Sequence, residues 1–251
     1  MKDKFDLYKK YESKATMIGW DFSFLSDKVM EEPMPWDYKE IIQSYLKKED
    51  KLLDMETGGG EFLLSLSHPY ENTYATEGYP PNYTLCRERL SPLGIYVRNS
   101  LGENPLPFED NSFDMIINRH GAYIPSEIRR VLKKDGIFIT QQVGSGNNKP
   151  LSDILAPWRE NTYDSFTLSK QTNKFKKHGF TLLQSNEKKL YARYKTIEGV
   201  IFMAKIIEWE FPEFSVKRCY KELCEIDKLI EENGYFESLE HRFYLVVRNN
   251  K

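Results

Sequence analysis

Leu52-Leu53-Asp54-Met55-Glu56-Thr57-Gly58-Gly59-Gly60-Glu61-Phe62 is the stretch that decides how this chain reads. Two apolar residues and an acid are followed by three consecutive glycines and then by an apolar-periodic segment. That order predicts a buried strand, a tight glycine turn and the start of a helix. Glycine lets a ligand come close to the backbone, and a helix start presents N–H groups without intrahelical partners. The turn is therefore expected to bind a ligand, and the residues around it must say which.

Downstream, strands and helices alternate. After the strand at 52–55 and the helix beginning at 61–67, the pattern predicts a short strand at 73–77 that ends in an acid, Glu77. A helix over 82–90, a strand at 95–98 and a loop over 99–112 follow. Phe113-Asp114-Met115-Ile116-Ile117-Asn118 reads as a buried strand, 126–132 as a short helix, and Asp135-Gly136 as the turn into a strand at 137–143. Such alternation argues for a parallel sheet covered on both faces.

The flanks read differently. Residues 1–50 look helical and amphipathic with a turn-rich middle, and carry two aromatic-acid clusters, Trp20-Asp21-Phe22-Ser23 and Met34-Pro35-Trp36-Asp37-Tyr38. Past the core, 144–158 reads as a loop with Gly144, Gly146, Pro150 and Pro157, 166–178 as a helix, and Gly179-Phe180 as the lead into a strand of about ten residues. The apolar 196–210 and helical 220–233 precede a last strand at 241–248. The gap between the last two strands is too long for a hairpin loop and reads as a small cap. The expected division is a 1–50 extension, a 51–190 core, a 191–238 cap and a last core strand within 239–251.

Composition excludes several classes. The 251 residues are 40% hydrophobic and 29% charged, which is an ordinary globule with ample core. The net charge of −2 gives no basic field for nucleic acid, although Lys174, Lys176, Lys177 and His178 form a local basic patch. Three scattered cysteines (Cys86, Cys219 and Cys224) make neither a disulfide framework nor a zinc site, so no metal is expected. Together with a charged N-terminus and no long apolar run, they point to a reducing cytoplasm without membrane spans.

The dinucleotide fingerprint G-x-G-x-x-G is absent, because neither position 61 nor 63 is glycine, and no Lys follows the glycines as a phosphate-binding loop requires. Instead, Asp54-Met55-Glu56-Thr57-Gly58-Gly59-Gly60 resembles the first motif, D-x-G-x-G-x-G, of the class I S-adenosylmethionine-dependent methyltransferases. It matches at Asp54, Gly58 and Gly60 and departs at Glu56, where the family has a glycine suited to positive φ. Leu106-Pro107-Phe108-Glu109-Asp110-Asn111-Ser112-Phe113-Asp114 resembles the LPF-x-D-x-SFD run of the "type 11" branch. Ile128-Arg129-Arg130-Val131-Leu132-Lys133-Lys134-Asp135-Gly136 resembles its RVLKPGG motif, with Lys134-Asp135 in place of Pro-Gly. The resemblance covers about residues 50–145.

It implies a Rossmann-like, seven-stranded, mostly parallel sheet with helices on both faces, N-terminal helices and a helical cap before the last strand. It also implies S-adenosyl-L-methionine as cofactor. Asp54, Glu56, Thr57, Gly58 and Gly60 would serve the methionyl end, Glu77 and Gly78 the ribose, and Asn99 and Ser100 the adenine. Asn118 follows as a further cofactor contact at the end of its strand.

His120, near the expected reaction face, is the candidate base, or else it packs in its loop. Arg119 either orients a substrate carboxylate or phosphate, or pairs with Glu77 or Asp114. Trp20, Trp36 and Tyr38 either staple the leading helices to the sheet or close over the cofactor's sulfonium. Trp158 and Trp209, with Phe202, Phe211 and Phe214, are cap core or acceptor pocket. A small-molecule acceptor is favoured over RNA, since residues 1–50 lack the cysteine-rich module of ribosomal RNA relatives. A methyltransferase-like binding protein without turnover is the third reading, with Glu56 as its support.

Overall fold

The computed structural model describes residues 2–16, 22–102, 104–160 and 166–251; Trp20 and Asp21 lie outside them. The elements run α1 (Lys2–Lys14), β1 (Val29–Glu31), α2 (Tyr38–Gln43), β2 (Leu52–Met55), α3 (Glu61–Ser65), β3 (Thr73–Glu77) and α4 (Pro80–Leu90). They continue with β4 (Tyr96–Asn99), β5 (Phe113–Arg119), α5 (Pro125–Val131), β6 (Leu132–Val143) and α6 (Lys149–Leu155). The last are α7 (Leu168–Lys177), β7 (Phe180–Tyr194), α8 (Ile197–Ile206), α9 (Tyr220–Asn233) and β8 (Phe236–Asn249). None of the helices among the described residues is long and apolar enough to cross a membrane.

The chain divides into two compact units: residues 35–144, 165–187 and 242–251 form the larger, and residues 1–34, 145–164 and 188–241 the smaller. The sheet has eight strands in the order β1-β7-β8-β6-β5-β2-β3-β4, the seven expected from the sequence with the short β1 added at one edge. The pairs β5–β6, β2–β5, β2–β3 and β3–β4 are parallel, and β6–β8 is antiparallel. Connections run outward from the centre in both directions, so the topological switch lies between β2 and β5. In sheets of this kind ligands bind outside the carboxyl ends of the strands at that switch.

Alternation along the strands distributes the larger unit's core over two faces. Leu52, Ile117, Ile139 and Val246 pack with Ile41 and Ile42 of α2, Leu63 of α3 and Cys86 and Leu90 of α4. Their neighbours Leu53, Ile116, Phe138 and Leu245 pack on the other face with Ile128 and Val131 of α5 and Phe175 of α7. Each fully buried side chain of this size contributes about 1.5–3 kcal/mol by removal from water. Helices therefore cover both faces, as a parallel sheet requires.

The smaller unit has its own core. Tyr8 of α1, Leu151 and Leu155 of α6, Val200 and Ile201 of α8, and Leu223 and Ile226 of α9 are buried together. Here β1 pairs antiparallel with the end of β7, Val29 opposite Tyr194. Asp227 on α9 accepts from Lys4 and from the Tyr8 hydroxyl, which ties α1 to α9.

The stretch 144–158 is not all loop, since it contains α6, with Pro150 in the first turn where its missing N–H costs nothing. Leu151, Ile154 and Leu155 fall on one face, and the glycines and prolines around them masked that period. The compact units divide the chain at 34/35, 144/145, 164/165, 187/188 and 241/242, beside limits of 50, 190 and 238 expected from the sequence. The two long strands β7 and β8 each contribute residues to both units, which periodicity within a strand does not reveal.

Candidate functional site

At the carboxyl end of β2 the chain turns sharply. Gly58 and Gly60 take φ of +63° and +83°, values that glycine adopts without steric cost. Gly60 caps α3, and its N–H donates to the Thr57 carbonyl at 3.2 Å. A Cβ at Gly60 would stand 2.9 Å from Leu90, so the turn also packs closely on α4. Asp54 is buried at the end of β2, and the Thr57 hydroxyl donates to its Oδ2 at 2.7 Å. Burial, and to a lesser degree the nearby Glu77 carboxylate, push the Asp54 pKa up to about 7, against the opposing effects of the Thr57 hydrogen bond and Arg119.

Glu77 ends β3 and is likewise buried. Its Oε2 accepts from the Gly58 N–H at 2.8 Å, and its Oε1 accepts from the N–H groups of Gly78 and Tyr79 at 2.9 and 2.8 Å. About three of the carboxylate's four lone-pair sites are thus taken by backbone. Gly78 is confined, because a Cβ there would lie 2.4 Å from Leu101. The Glu77 carbonyl accepts from the N–H of Ser100. Ser100 is buried just beyond β4, while Asn99 before it is exposed.

Glu56 keeps the backbone of the glycine it replaces. It stands at φ +57°, the left-handed region, in the place where the resembled motif carries glycine. Its side chain bends towards the loops that follow β4 and β5, and its Oε1 accepts from the Gly102 N–H.

At the end of β5, Asn118 is fully buried and its polar atoms are engaged by the protein. Its Nδ2 donates to the Met55 carbonyl at 3.2 Å, while its Oδ1 accepts from Thr140 at 3.1 Å and from Gln142 at 2.7 Å. The Tyr38 hydroxyl donates to the Asn118 carbonyl at 2.9 Å. Asn118 therefore braces the ends of β2, β5 and β6. Arg119 is exposed and pairs with neither Glu77 nor Asp114, the latter being bonded to Lys133. Its guanidinium lies 4.5 Å from the centre of the Phe62 ring, whose other neighbour is the stacked ring of Tyr38. That arrangement holds Arg119 beside the glycine turn.

His120 follows at φ +65° with an exposed side chain. Partial desolvation by the surrounding protein, then the Arg242 and Arg119 guanidiniums, hold its pKa below the ordinary imidazole value. The ring is consequently uncharged at neutral pH and a weak proton acceptor.

The aromatics separate. Trp36 donates its indole N–H to Gln141 at 2.8 Å and meets Tyr244 edge-on, and Tyr38 is buried under Phe62, so both staple α2 and its lead-in to the sheet. An open groove of about 370 Å³ is lined by Trp36, Asp37, Glu40, Gln184 and Tyr244, none of them from the glycine turn. Trp158 and Trp209 belong to the smaller unit, where Trp158 donates to the Pro212 carbonyl and carries Arg218 over its ring. Trp209 is 46% exposed there, a partly open side chain where the sequence allowed either cap core or pocket. Among the described residues no cluster of His, Cys, Asp and Glu is arranged to hold a metal ion. Gly102, Gly121, Thr140 and Gln142 join these contacts without a motif that marks them. The isolated glycines just past two strand ends were the available signal of close backbone approach.

Residues 53–140 match a family model described as a methyltransferase domain. No curated protein matches the chain. Among solved structures, a candidate methyltransferase of Bacillus halodurans superposes with a TM-score of 0.61 at 15% identity, over 86% of this chain and 99% of the other. A SAM-dependent methyltransferase of Methanosarcina mazei gives 0.52 at 14% identity, over 87% and 98%. The [4+2]-cyclase SpnF gives 0.51 at 15% identity, over 97% and 91%. Likeness at this level establishes a shared fold, and a fold hosts more than one chemistry.

Proposed function

We propose that this methyltransferase, whose cofactor is S-adenosylmethionine, moves the methyl group to a small-molecule acceptor from the crevice at the ends of β2, β3 and β5. The observation that carries the reading is the Gly58–Glu77 contact, a buried acid at the end of β3 held against a glycine turn at the switch of the sheet. The residues fit the cofactor. A buried carboxylate suits hydroxyl donors, the positive-φ glycines permit close approach, and the acids Asp54, Glu56 and Glu77 suit a cation.

In this reading Glu77 accepts from the ribose, with one backbone N–H bond shared to receive both hydroxyls. Thr57, Gly58 and Gly60 shape the methionyl end, and Asp54 supports that turn through Thr57. Gly78 brings the backbone close, and Asn99 and Ser100 flank the adenine side. Arg119, held over Phe62, is available to a carboxylate of the cofactor or acceptor. Asn118 acts by positioning the strand ends.

S-adenosylmethionine supplies a methyl group already activated on a sulfonium, so the chain contributes alignment and exclusion of water. A base is needed only where the acceptor must lose a proton. An acceptor whose nucleophile has a lone pair available at neutral pH would make no demand on His120. The acidic crevice and the net charge of −2 disfavour a phosphate-rich acceptor such as RNA. Three free cysteines suit a reducing cytoplasm.

Incubation with methyl-labelled cofactor and cell extract, fractionated by size, tests the reading. Label in the small-molecule fraction is expected. Label in RNA overturns the acceptor class, and absence of cofactor binding by calorimetry overturns the site.

A further inference from the structure

Glu56 combines a left-handed backbone at the end of β2 with a side-chain bond to the loop after β4. An L-residue at φ +57° is strained relative to glycine. Glu56 lies against two glycines from separate loops. A Cβ on Gly102 would collide first with the Ala122 carbonyl and would also come within 2.8 Å of Glu56 Oε1, and one on Gly121 would stand 2.8 Å from Asn118 Nδ2 and 2.9 Å from Glu56 Cβ. The carboxylate is fixed by the Gly102 N–H, so it stands among the loops after β2, β4 and β5, at the switch crevice. Strain maintained by its surroundings at a ligand crevice points to a function for the side chain.

We propose that Glu56 is a specificity-determining residue that reads the positive charge of the methyl donor. The inference rests on the cofactor site described above. When the methyl group passes to the acceptor's lone pair, the broken C–S bond leaves its electron pair on sulfur. The sulfonium then becomes a neutral thioether. A fixed carboxylate at this crevice attracts the cationic donor and loses that attraction once the charge is gone. Glu56 thereby favours S-adenosylmethionine over S-adenosylhomocysteine and eases product release.

The test is calorimetric titration of both ligands into the parent protein and into Glu56→Gln and Glu56→Gly. Glutamine keeps the shape and an acceptor for Gly102, and glycine relieves the backbone, so neither substitution threatens folding. Glu56→Gln is expected to weaken S-adenosylmethionine about tenfold and S-adenosylhomocysteine by less than about threefold, with the discrimination shrinking at high salt. Equal losses for the two ligands overturn the charge-reading role. Tighter binding of both by Glu56→Gly also overturns it, and shows a side chain that obstructs the crevice. A parent protein that binds neither ligand refutes the cofactor site itself, an outcome distinct from either of these.

Discussion

The backbone N–H of Gly58 donates to Glu77 Oε2 at 2.8 Å, and this one bond joins the turn after β2 to the end of β3. It explains why the glycine turn and the acid occur together. The N–H of a residue at φ +63° needs an acceptor, and a buried carboxylate needs donors. With Gly78 and Tyr79 also donating, the acid is oriented before any ligand arrives.

Glu77→Gln is expected to lower both stability and cofactor affinity. Exchanging an oxygen for an amide sets its two hydrogens against backbone donors, at a cost of about 1–3 kcal/mol. Urea unfolding should register that loss. Calorimetry should show S-adenosylmethionine binding weakened at least tenfold, since ribose hydroxyls lose an acceptor. Unchanged affinity would remove Glu77 from the ribose site.

Asp54 makes stability depend on pH. Its pKa in the folded chain, about 7, lies above the ordinary value of 3.8. Between those values the folded state binds more protons than the unfolded state, so stability falls as pH rises from about 4 to about 7. The favourable contribution is full below the lower value and lost above the upper one, amounting to roughly 4 kcal/mol. Asp54→Asn retains an acceptor for the Thr57 hydroxyl and carries no charge. Its urea midpoint should vary less with pH than the parent's and exceed it at pH 8.

The central part of this fold was legible because its signals are local. Leu52–Met55 and Thr73–Glu77 are bounded in the structure as their apolar runs and flanking turns indicate. The β2 turn likewise announced itself through three adjacent glycines. What stayed hidden depends on partners distant in sequence. Asn118 is a cofactor contact by resemblance, but its bonds to Met55, Thr140 and Gln142 exist only once three strands are aligned. The place of the Glu56 side chain, bonded to Gly102 and packed beside Gly121, involves residues more than forty positions away. Helix α6 was concealed by Pro150, which breaks a helix in its interior and starts one at its first turn.

Asn118→Leu should be strongly destabilising. It removes the acceptor shared by Thr140 and Gln142 and the donor to the Met55 carbonyl in a buried setting, while the Gln142 amide keeps Gly121 and Thr140 as partners, so the expected loss is about 1–3 kcal/mol. Because Asn118 positions strand ends, Asn118→Asp should recover part of the loss, keeping the acceptor for Gln142 and Thr140. Comparison of the two urea midpoints checks this. If leucine matches the parent, the network contributes nothing measurable.

His120→Ala separates a base from a bystander. General-base catalysis is worth about 10²–10⁴ in rate, and an imidazole with a lowered pKa near Arg119 and Arg242 is poorly suited to it. Turnover of the labelled acceptor should therefore fall by less than about tenfold, with no change in the shape of the pH–rate profile between pH 6 and 9. A loss of a hundredfold or more, accompanied by disappearance of an acid-side inflection, would make His120 the base after all. It would also shift the acceptor towards a hydroxyl or a protonated amine.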